Sequence, residues 1–354
     1  MRRNADGGAA AFSDEDAHFL GAALFLARCG CGHTRPNPPV GAVVVRDGKL
    51  IGEGWHRKAG EDHAEVAAIK DVRRFYKDDA AKMLAGATLY VSLEPCSKAG
   101  RVGACTDAIA EAGISRVVYA ADDPNPVNRG RATAVLAERG VTCVRYEGDA
   151  QVTARAEGLV APFAKHVRTG LPFVTVKIAL SLDGRICDDR GDARWISSEE
   201  AREETGSMRA QVDAILVGAE TVRRDNPSLL CHQMANPDLI RVVVSRSGNL
   251  PKDAQVFTDG QNETLVFADA GEALRELGRR GCLHVLCEGG LKLAVSLAEA
   301  GLVDEWLSVL SPCVVGTRPV SQALRFGRSA VATCDAGDVL AHFVPRPADG
   351  RGDA

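Results

Sequence analysis

A histidine and a carboxylate two residues apart, in His63-Ala64-Glu65, are followed about thirty residues later by Pro95-Cys96 and then by Cys105, and this set constrains the chain most. If the three donors meet on one ion, elements distant in sequence must converge on one point. Two cysteines and a histidine fill three corners of a tetrahedral zinc site and leave the fourth to water, whose pKa falls to about 7 there. Glu65 then stands beside that water, placed to shuttle protons without binding the metal. Two plainer readings compete. Free cysteine is most often a small buried hydrophobe, and 11 cysteines make a chance pair near a histidine easy to meet. A structural zinc needs a fourth protein ligand, and Cys29-Gly30-Cys31 falls at the end of a predicted helix with no histidine at finger spacing. An open, catalytic three-ligand site is the preferred reading.

The 354 residues suggest two domains, and a hydrophobic content of 45% supplies two cores. With 43 Lys and Arg against 47 Asp and Glu, the net charge is −4. No strong basic field exists to hold a polynucleotide backbone, so nucleic acid is not an expected partner. The cysteines lack small-scaffold spacing, and Met1 to Phe12 contains no apolar run of a signal peptide, which together point to a reducing cytoplasm. Nothing approaches the roughly 20 apolar residues of a membrane span. A soluble cytoplasmic protein is expected, with a homo-oligomer as its assembly.

Met1 to Ala11 reads as a loose tail, and Ser13 with Asp14, Glu15 and Asp16 as the cap and acidic first turn of a helix through Arg28. Val40 to Arg46 and Leu50 to Trp55 read as strands joined at Asp47-Gly48, a hairpin signal. His63 to Phe75 has helical periodicity, which places His63 and Glu65 in a first turn. Ala87 to Leu93 reads as a buried strand delivering Glu94-Pro95-Cys96, and Cys105 to Ala112 as the helix that follows. Arg116 to Ala121, Ala132 to Arg139 and Val141 to Tyr146 continue an alternating α/β pattern. The residues from 149 to 170 read as a polar linker between a domain over 13–148 and another over 171–347. Strand candidates beyond it are Phe173 to Leu180, Ala214 to Val217, Ile240 to Val244, Thr264 to Phe267, Leu283 to Leu286 and Trp306 to Leu310. Asp349 to Ala354 reads as a polar tail.

His-x-Glu followed by Pro-Cys is the signature of zinc deaminases that act on nucleobases. With Pro36-Asn37-Pro38-Pro39-Val40-Gly41, Gly54-Trp55-His56, Glu94-Pro95-Cys96-Ser97, Gly100-Arg101 and Asp123-Pro124-Asn125-Pro126, the first half resembles the deaminase half of a family of bifunctional riboflavin-biosynthesis enzymes, the diaminohydroxyphosphoribosylaminopyrimidine deaminase-reductases. The eight residues between Cys96 and Cys105 fit that family better than the cytidine deaminases, which usually separate their cysteines by two. The resemblance implies a cytidine-deaminase-like α/β/α layered domain, with Zn²⁺ on His63, Cys96 and Cys105 and Glu65 as the catalytic residue. It also implies a small phosphorylated pyrimidine substrate in a pocket lined by Asn37, His56, Ser97, Arg101, Asp123 and Asn125. Here the family's loop is altered: Lys98 stands for a histidine, and Val102-Gly103-Ala104 for Thr-Pro-Pro.

The second half resembles the reductase half of the same family, on Val176-Lys177, Ser181-Leu182-Asp183-Gly184-Arg185, Trp195-Ile196-Ser197, Arg209-Ala210, Gly218-Ala219-Glu220-Thr221-Val222, Asp225-Asn226-Pro227-Ser228-Leu229 and Glu288-Gly289-Gly290. This implies a dihydrofolate-reductase-like α/β domain that uses NADPH. Lys177, Trp195, Thr221, Asp225 and Gly290 would face the cofactor, and Arg209, Leu229, His232 and Glu288 the substrate. The glycine pair carries a physical argument of its own, since it lets backbone N–H groups approach a pyrophosphate at a helix start. Departures lie at Ala193, for a serine; His232, for a phosphate-binding arginine; Arg246, for a serine; and Cys313, for a lysine. Arg246 is a candidate for restoring the lost positive charge. Ala193, His232 and Arg246 favour a second reading in which only the deaminase is active and the second domain is a scaffold, whereas Lys177, Thr221, Asp225 and Glu288-Gly289-Gly290 favour two activities, the leading expectation.

Overall fold

The structure, a computed structural model, describes residues 12–98, 103–192, 195–231, 234–333 and 339–345, with only the backbone of 324–333 and 339–345. Ser13 opens helix α1 (Asp14–Arg28) with a reciprocal cap: its hydroxyl accepts from the Asp16 amide at 3.2 Å, and the Asp16 carboxylate accepts from the Ser13 amide at 3.0 Å. The same carboxylate accepts from the Tyr90 hydroxyl at 2.9 Å and from Arg116 Nη1 at 2.7 Å. One buried acid therefore fixes both the start of the helix and its seat on the sheet.

That sheet begins with the hairpin of β1 (Gly41–Arg46) and β2 (Lys49–Trp55), which turns at Asp47-Gly48 as expected. Helix α2 (Ala64–Tyr76), the short α3 (Ala80–Leu84), β3 (Thr88–Leu93), α4 (Cys105–Glu111), β4 (Arg116–Ala121), α5 (Ala132–Ala137) and β5 (Thr142–Arg145) follow. The strand order is β2-β1-β3-β4-β5, with β3, β4 and β5 parallel. Strands buried on both faces read as continuous apolar runs, and successive side chains part to opposite layers. Val44, Leu89, Val91 and Val117 pack under Ala68, Ile69, Val72 and Ile109, whereas Val43, Tyr90 and Val118 meet Leu20 and Leu24 of α1.

The segment expected to be a polar linker is instead helix α6 (Ala150–Thr169), with Asp149 as its cap and Gly170 closing it at φ 72°. Its buried residues are Val152, Ala156 and Val160, one every four positions, and they join the α1 side of the first core. Gly158 and Pro162 interrupt its helical character in sequence, and the buried stripe is narrow. Lys165, near its end, pairs with Asp304 beyond it, so the connection is packed along its length.

From there β6 (Phe173–Leu180), α7 (Glu199–Ser207), β7 (Ala214–Gly218), α8 (Ala219–Asp225), β8 (Ile240–Val244), α9 (Gln255–Thr258), β9 (Thr264–Phe267), α10 (Ala270–Arg279), β10 (His284–Cys287), α11 (Leu291–Glu299) and β11 (Glu305–Leu310) build a second sheet. Its order is β11-β6-β10-β7-β8-β9, and every pairing is parallel. The chain leaves a slot between β6 and β7 that β10 later fills, and crevices at the carboxyl ends of strands around such a reversal are where α/β sheets bind ligands. A further antiparallel sheet, absent from the expectations, is made by β12 (Cys313–Val314), β13 (Leu324–Thr333) and β14 (Val339–Pro345). The expected tails, Met1 to Ala11 and Asp349 to Ala354, lie outside the described residues. No helix among the described residues is long and apolar enough to cross a membrane.

Asp16 makes the fold pH-dependent in a definite direction. Burial alone would raise its carboxyl, but hydrogen bonds from Arg116, Ser13 and Tyr90 bring it from 3.8 to about 2. A depressed carboxyl stabilises the folded state above its unfolded pKa and loses that contribution as pH falls through the folded value. Asp16→Asn should therefore cost the first domain about 2 kcal/mol at pH 7, with the gap to the parent closing between pH 4 and pH 2, the window set by that shift. Urea unfolding at several pH values measures this, and a gap independent of pH would contradict it.

Candidate metal centre and active site

The first site starts from a missing side chain. A Cβ at Gly54 would meet the Ala68 nitrogen at 2.4 Å and the Ala64 oxygen at 2.8 Å, so α2 lies directly on the backbone of β2. His63 precedes the helix as its extended N-cap, φ −71° and ψ 161°, rather than sitting within the first turn, and its ring makes no capping bond. Glu65 does lie in that turn. Strand β3 delivers Cys96 past its end, and Cys105 is the first residue of α4.

His63 Nδ1 lies 3.2 Å from Cys105 Sγ and 3.6 Å from Cys96 Sγ, and the two sulfurs are 3.3 Å apart. A disulfide would require about 2.05 Å. On tetrahedral zinc, bonds of about 2.3 Å to sulfur and 2.0–2.1 Å to nitrogen hold the donors about 3.6–3.8 Å apart, so this triangle fits after a slight outward shift. Among the described residues these three form the group able to hold a metal, with ligand atoms all within 4.8 Å of one another. The Cys105 thiol donates toward Cys96 and draws it down to about 4, against burial and with help from His63. Glu65 is 3% exposed; burial pushes its carboxyl up to about 7, the Cys96 thiolate adds to this and His63 opposes it.

Asn37 and His56 are brought together, but in unequal roles. His56 Nδ1 lies 2.9 Å from the Asp62 carbonyl, which only accepts, so Nδ1 carries the proton and Nε2 accepts from Asn37 Nδ2 at 3.0 Å. His56, 2% exposed and packed edge-on to the His63 ring, has both nitrogens engaged by the protein. It thus sits beside the metal-binding triad with both ring nitrogens held by Asp62 and Asn37. Asn37 closes a turn with Thr34, and Arg35 in the same turn donates to the Asp213 carbonyl of the second domain at 3.2 Å. Ser97 Oγ is buried with no hydrogen-bond partner among the described residues, as a group awaiting a ligand would be. Asn125 Oδ1 accepts from the Val127 amide, a turn-capping bond, while Asp123 accepts from the Asn125 amide and from Asn128 Nδ2. Arg101 lies outside the described residues. Glu94, buried beneath this loop, was not singled out from sequence as a site residue, although it stands in the same run as Cys96.

In the second domain Arg209 and Glu288 form a bidentate pair, Nε to Oε1 at 2.7 Å and Nη2 to Oε2 at 2.8 Å. Lys177 joins them. Its ammonium is lowered by burial, with Glu288 raising it and Arg209 lowering it. Burial would raise Glu288, yet Arg209 and Lys177 hold it below the usual carboxylate range. Gly289 and Gly218 both approach Leu293 of α11: a Cβ at Gly289 would meet its side chain at 2.7 Å, one at Gly218 at 3.8 Å. Gly290 caps α11 with open space where its Cβ would be, leaving that helix start approachable. Thr221 is half-buried in α8, and Asp225 ends that helix, exposed, one turn further on.

Trp195 is 56% exposed with the Arg202 guanidinium 4.3 Å over its ring. Next to it Ile196 packs with Cys313, Val315 and Val320, so the cysteine that replaces a lysine serves as apolar support for this segment. Leu229 departs from expectation. Held at φ 61°, it turns its side chain into the core with Val212, Ile215 and Val243, so a ligand could meet only its backbone. His232 and Ala193 lie outside the described residues, and Arg246 is exposed just past β8.

Fold and site together define a two-domain enzyme, a zinc-deaminase-type domain followed by a parallel α/β domain with a charged crevice. Residues 13–121 match the cytidine and deoxycytidylate deaminase zinc-binding region, and residues 172–328 match the RibD C-terminal domain. The chain belongs to the RibD family of riboflavin biosynthesis proteins. It is 36% identical to the RibD of Bacillus amyloliquefaciens over 332 residues, 85% of each chain, and 34% identical to that of Escherichia coli K12 over 340 residues, 86% of this chain and 89% of the other. A solved structure from Thermotoga maritima, a diaminohydroxyphosphoribosylaminopyrimidine deaminase/5-amino-6-(5-phosphoribosylamino)uracil reductase, superposes with a TM-score of 0.77 at 33% identity, covering 94% of this chain and 99% of that one. RibD of Acinetobacter baumannii superposes at 0.70 with 30% identity over the same shares.

Because α2 rests on bare backbone, Gly54→Ala should cost about 1–3 kcal/mol and weaken zinc retention against a competing chelator. Gly103→Ala, at a position with nothing among the described residues within 4 Å of its Cβ, should leave retention unchanged. Metal content after dialysis compares the two.

Proposed function

We propose that the chain catalyses two consecutive steps of riboflavin biosynthesis. The first is hydrolytic deamination of 2,5-diamino-6-(5-phosphoribosylamino)pyrimidin-4(3H)-one in the first domain. The second is NADPH-dependent reduction of the ribosyl group to ribityl in the second domain. The observation that carries this is the convergence of His63, Cys96 and Cys105 beside the buried Glu65.

His63, Cys96 and Cys105 would hold zinc, which when bound supplies the Lewis acidity that makes water a nucleophile at neutral pH. Glu65 takes the water proton on its carboxylate and returns it to the departing ammonia, so that the amino group leaves and a carbonyl takes its place. Asn37, oriented by His56, keeps its Oδ1 for the amide-like edge of the pyrimidinone, and the Ser97 Oγ, with no partner among the described residues, offers a second polar contact. Asp123, Asn125 and Arg101 complete the pocket in this reading, with Arg101 on the phosphate.

In the second domain, NADPH would lie at Gly290 and the start of α11, with Thr221, Asp225 and Trp195 around it, and it supplies the hydride. Lys177, Arg209 and Glu288 then orient the sugar, joined by His232 and the Leu229 backbone. The fit rests on the open space at Gly290 and on the half-buried Lys177, whose ammonium feels the charges of both Glu288 and Arg209. A cytoplasmic setting suits the free thiols of Cys143, Cys282 and Cys287. A homo-oligomer suits β11, which exposes Trp306 and Leu310.

Glu65→Gln should lower the deamination rate by about 10²–10⁴ while zinc content stays at the parental level. Substantial residual turnover would refute the proton-shuttle role. Stripping zinc with a chelator should abolish ammonia release yet leave NADPH oxidation intact when the deaminated compound is supplied directly. No absorbance change at 340 nm in that second assay would leave the deaminase alone active.

A further inference from the structure

We propose that Glu94 is a positioning residue of the first site, its buried carboxylate clamping both ends of the loop that carries Asp123 and Asn125 and so holding that loop beside Cys96. The proposal rests on the deaminase reading above. Glu94 Oε2 accepts from the Asp123 amide at 3.3 Å and from the Gly130 amide at 3.0 Å, and Oε1 accepts from the Ala132 amide at 3.1 Å. The residue is 2% exposed. Its own amide donates to the Ala121 carbonyl at the end of β4, which ties the clamp to the sheet.

The bond to Ala132 answers a need of the helix. Ala132 is the first residue of α5, where an amide has no partner inside the helix, and Arg131 at the cap supplies no side-chain bond. Between the clamped ends, the Asp123 carboxylate takes the Asn125 amide at 2.8 Å and Asn128 Nδ2 at 3.0 Å, so the loop holds its own shape and hangs from Glu94 as a unit. Glu94 stands two residues before Cys96, so the loop hung from it lies next to the strand end that carries that ligand.

A glutamine here has nearly the same volume but one acceptor oxygen and an NH₂ group aimed at N–H donors, so one side of the clamp must open. In the full chain loaded with zinc, Glu94→Gln should raise KM for the diaminopyrimidine about tenfold and change kcat by less than about threefold, the pattern of lost substrate positioning. Zinc content and NADPH oxidation with the deaminated compound should match the parent. Amide exchange should be slow at Gly130 and Ala132 in the parent and fast in the variant. Unchanged KM overturns the proposal, as does loss of zinc or of kcat alone, since Glu94 would then act through Cys96. If Glu94→Gln does not fold, exchange in the parent decides: unprotected amides at Gly130 and Ala132 overturn the clamp, while protection together with a raised KM in Glu94→Asp supports it. A parent that releases no ammonia from the diaminopyrimidine overturns the functional reading instead, and the exchange result still judges the clamp.

Discussion

Contact between the backbone of β2 and helix α2 governs the geometry of the first site. With no side chain at Gly54, the helix axis is set by peptide against peptide, a contact with little freedom to drift. The position of His63 at the helix entrance and of Glu65 one step inside it follows from that contact. Cys96 and Cys105 come from the next α/β unit, one past the end of a parallel strand and the other at the start of a helix. The donors therefore meet where two helix entrances face each other, and these are also the places where backbone amides favour thiolate and other anions.

The second site obeys the same topological logic with different chemistry. β10 enters between β6 and β7, and Glu288 directly after it pairs with Arg209 within reach of the Lys177 charge. Three half-buried charges influence one another there, and one carboxylate serves two cations. Removing Glu288 would leave Arg209 and Lys177 without their shared counter-charge, whereas removing Arg209 would leave Glu288 only Lys177. A charged cluster of this kind suits a polar sugar phosphate better than it suits a fold that needs only to be stable.

The parts of this architecture that were legible in sequence share a property: their signals are local. The hairpin at Asp47-Gly48, the cap at Ser13 and the apolar strands of both sheets all depend on neighbours within a few residues, and the zinc motif carries its chemistry in its residue types. What was missed depends on partners far away. Helix α6 hid behind Gly158 and Pro162, although Val152, Ala156 and Val160 at every fourth position were the available signal. The spacing of Ala270, Ala273, Leu274 and Leu277 likewise marked α10, which had not been recognised. The roles of His56 and Glu94 lie in bonds to Asn37 and to the loop up to Ala132, which spacing does not reveal. Leu229 was placed by its motif, and its left-handed backbone turned the side chain into the core.

The turn from Thr34 to Asn37 belongs to both halves of the molecule. Asn37 bonds His56 beside the His63 ring, Arg35 bonds the Asp213 carbonyl, and Pro36 lies where a side chain on Gly281 would be. The turn that bonds His56 next to the metal-binding triad is thus braced from behind by the second domain. Fusion of the two activities does more than keep them at equal abundance: the second domain is a buttress of the first active site, and selection on either reaction acts on the shape of both.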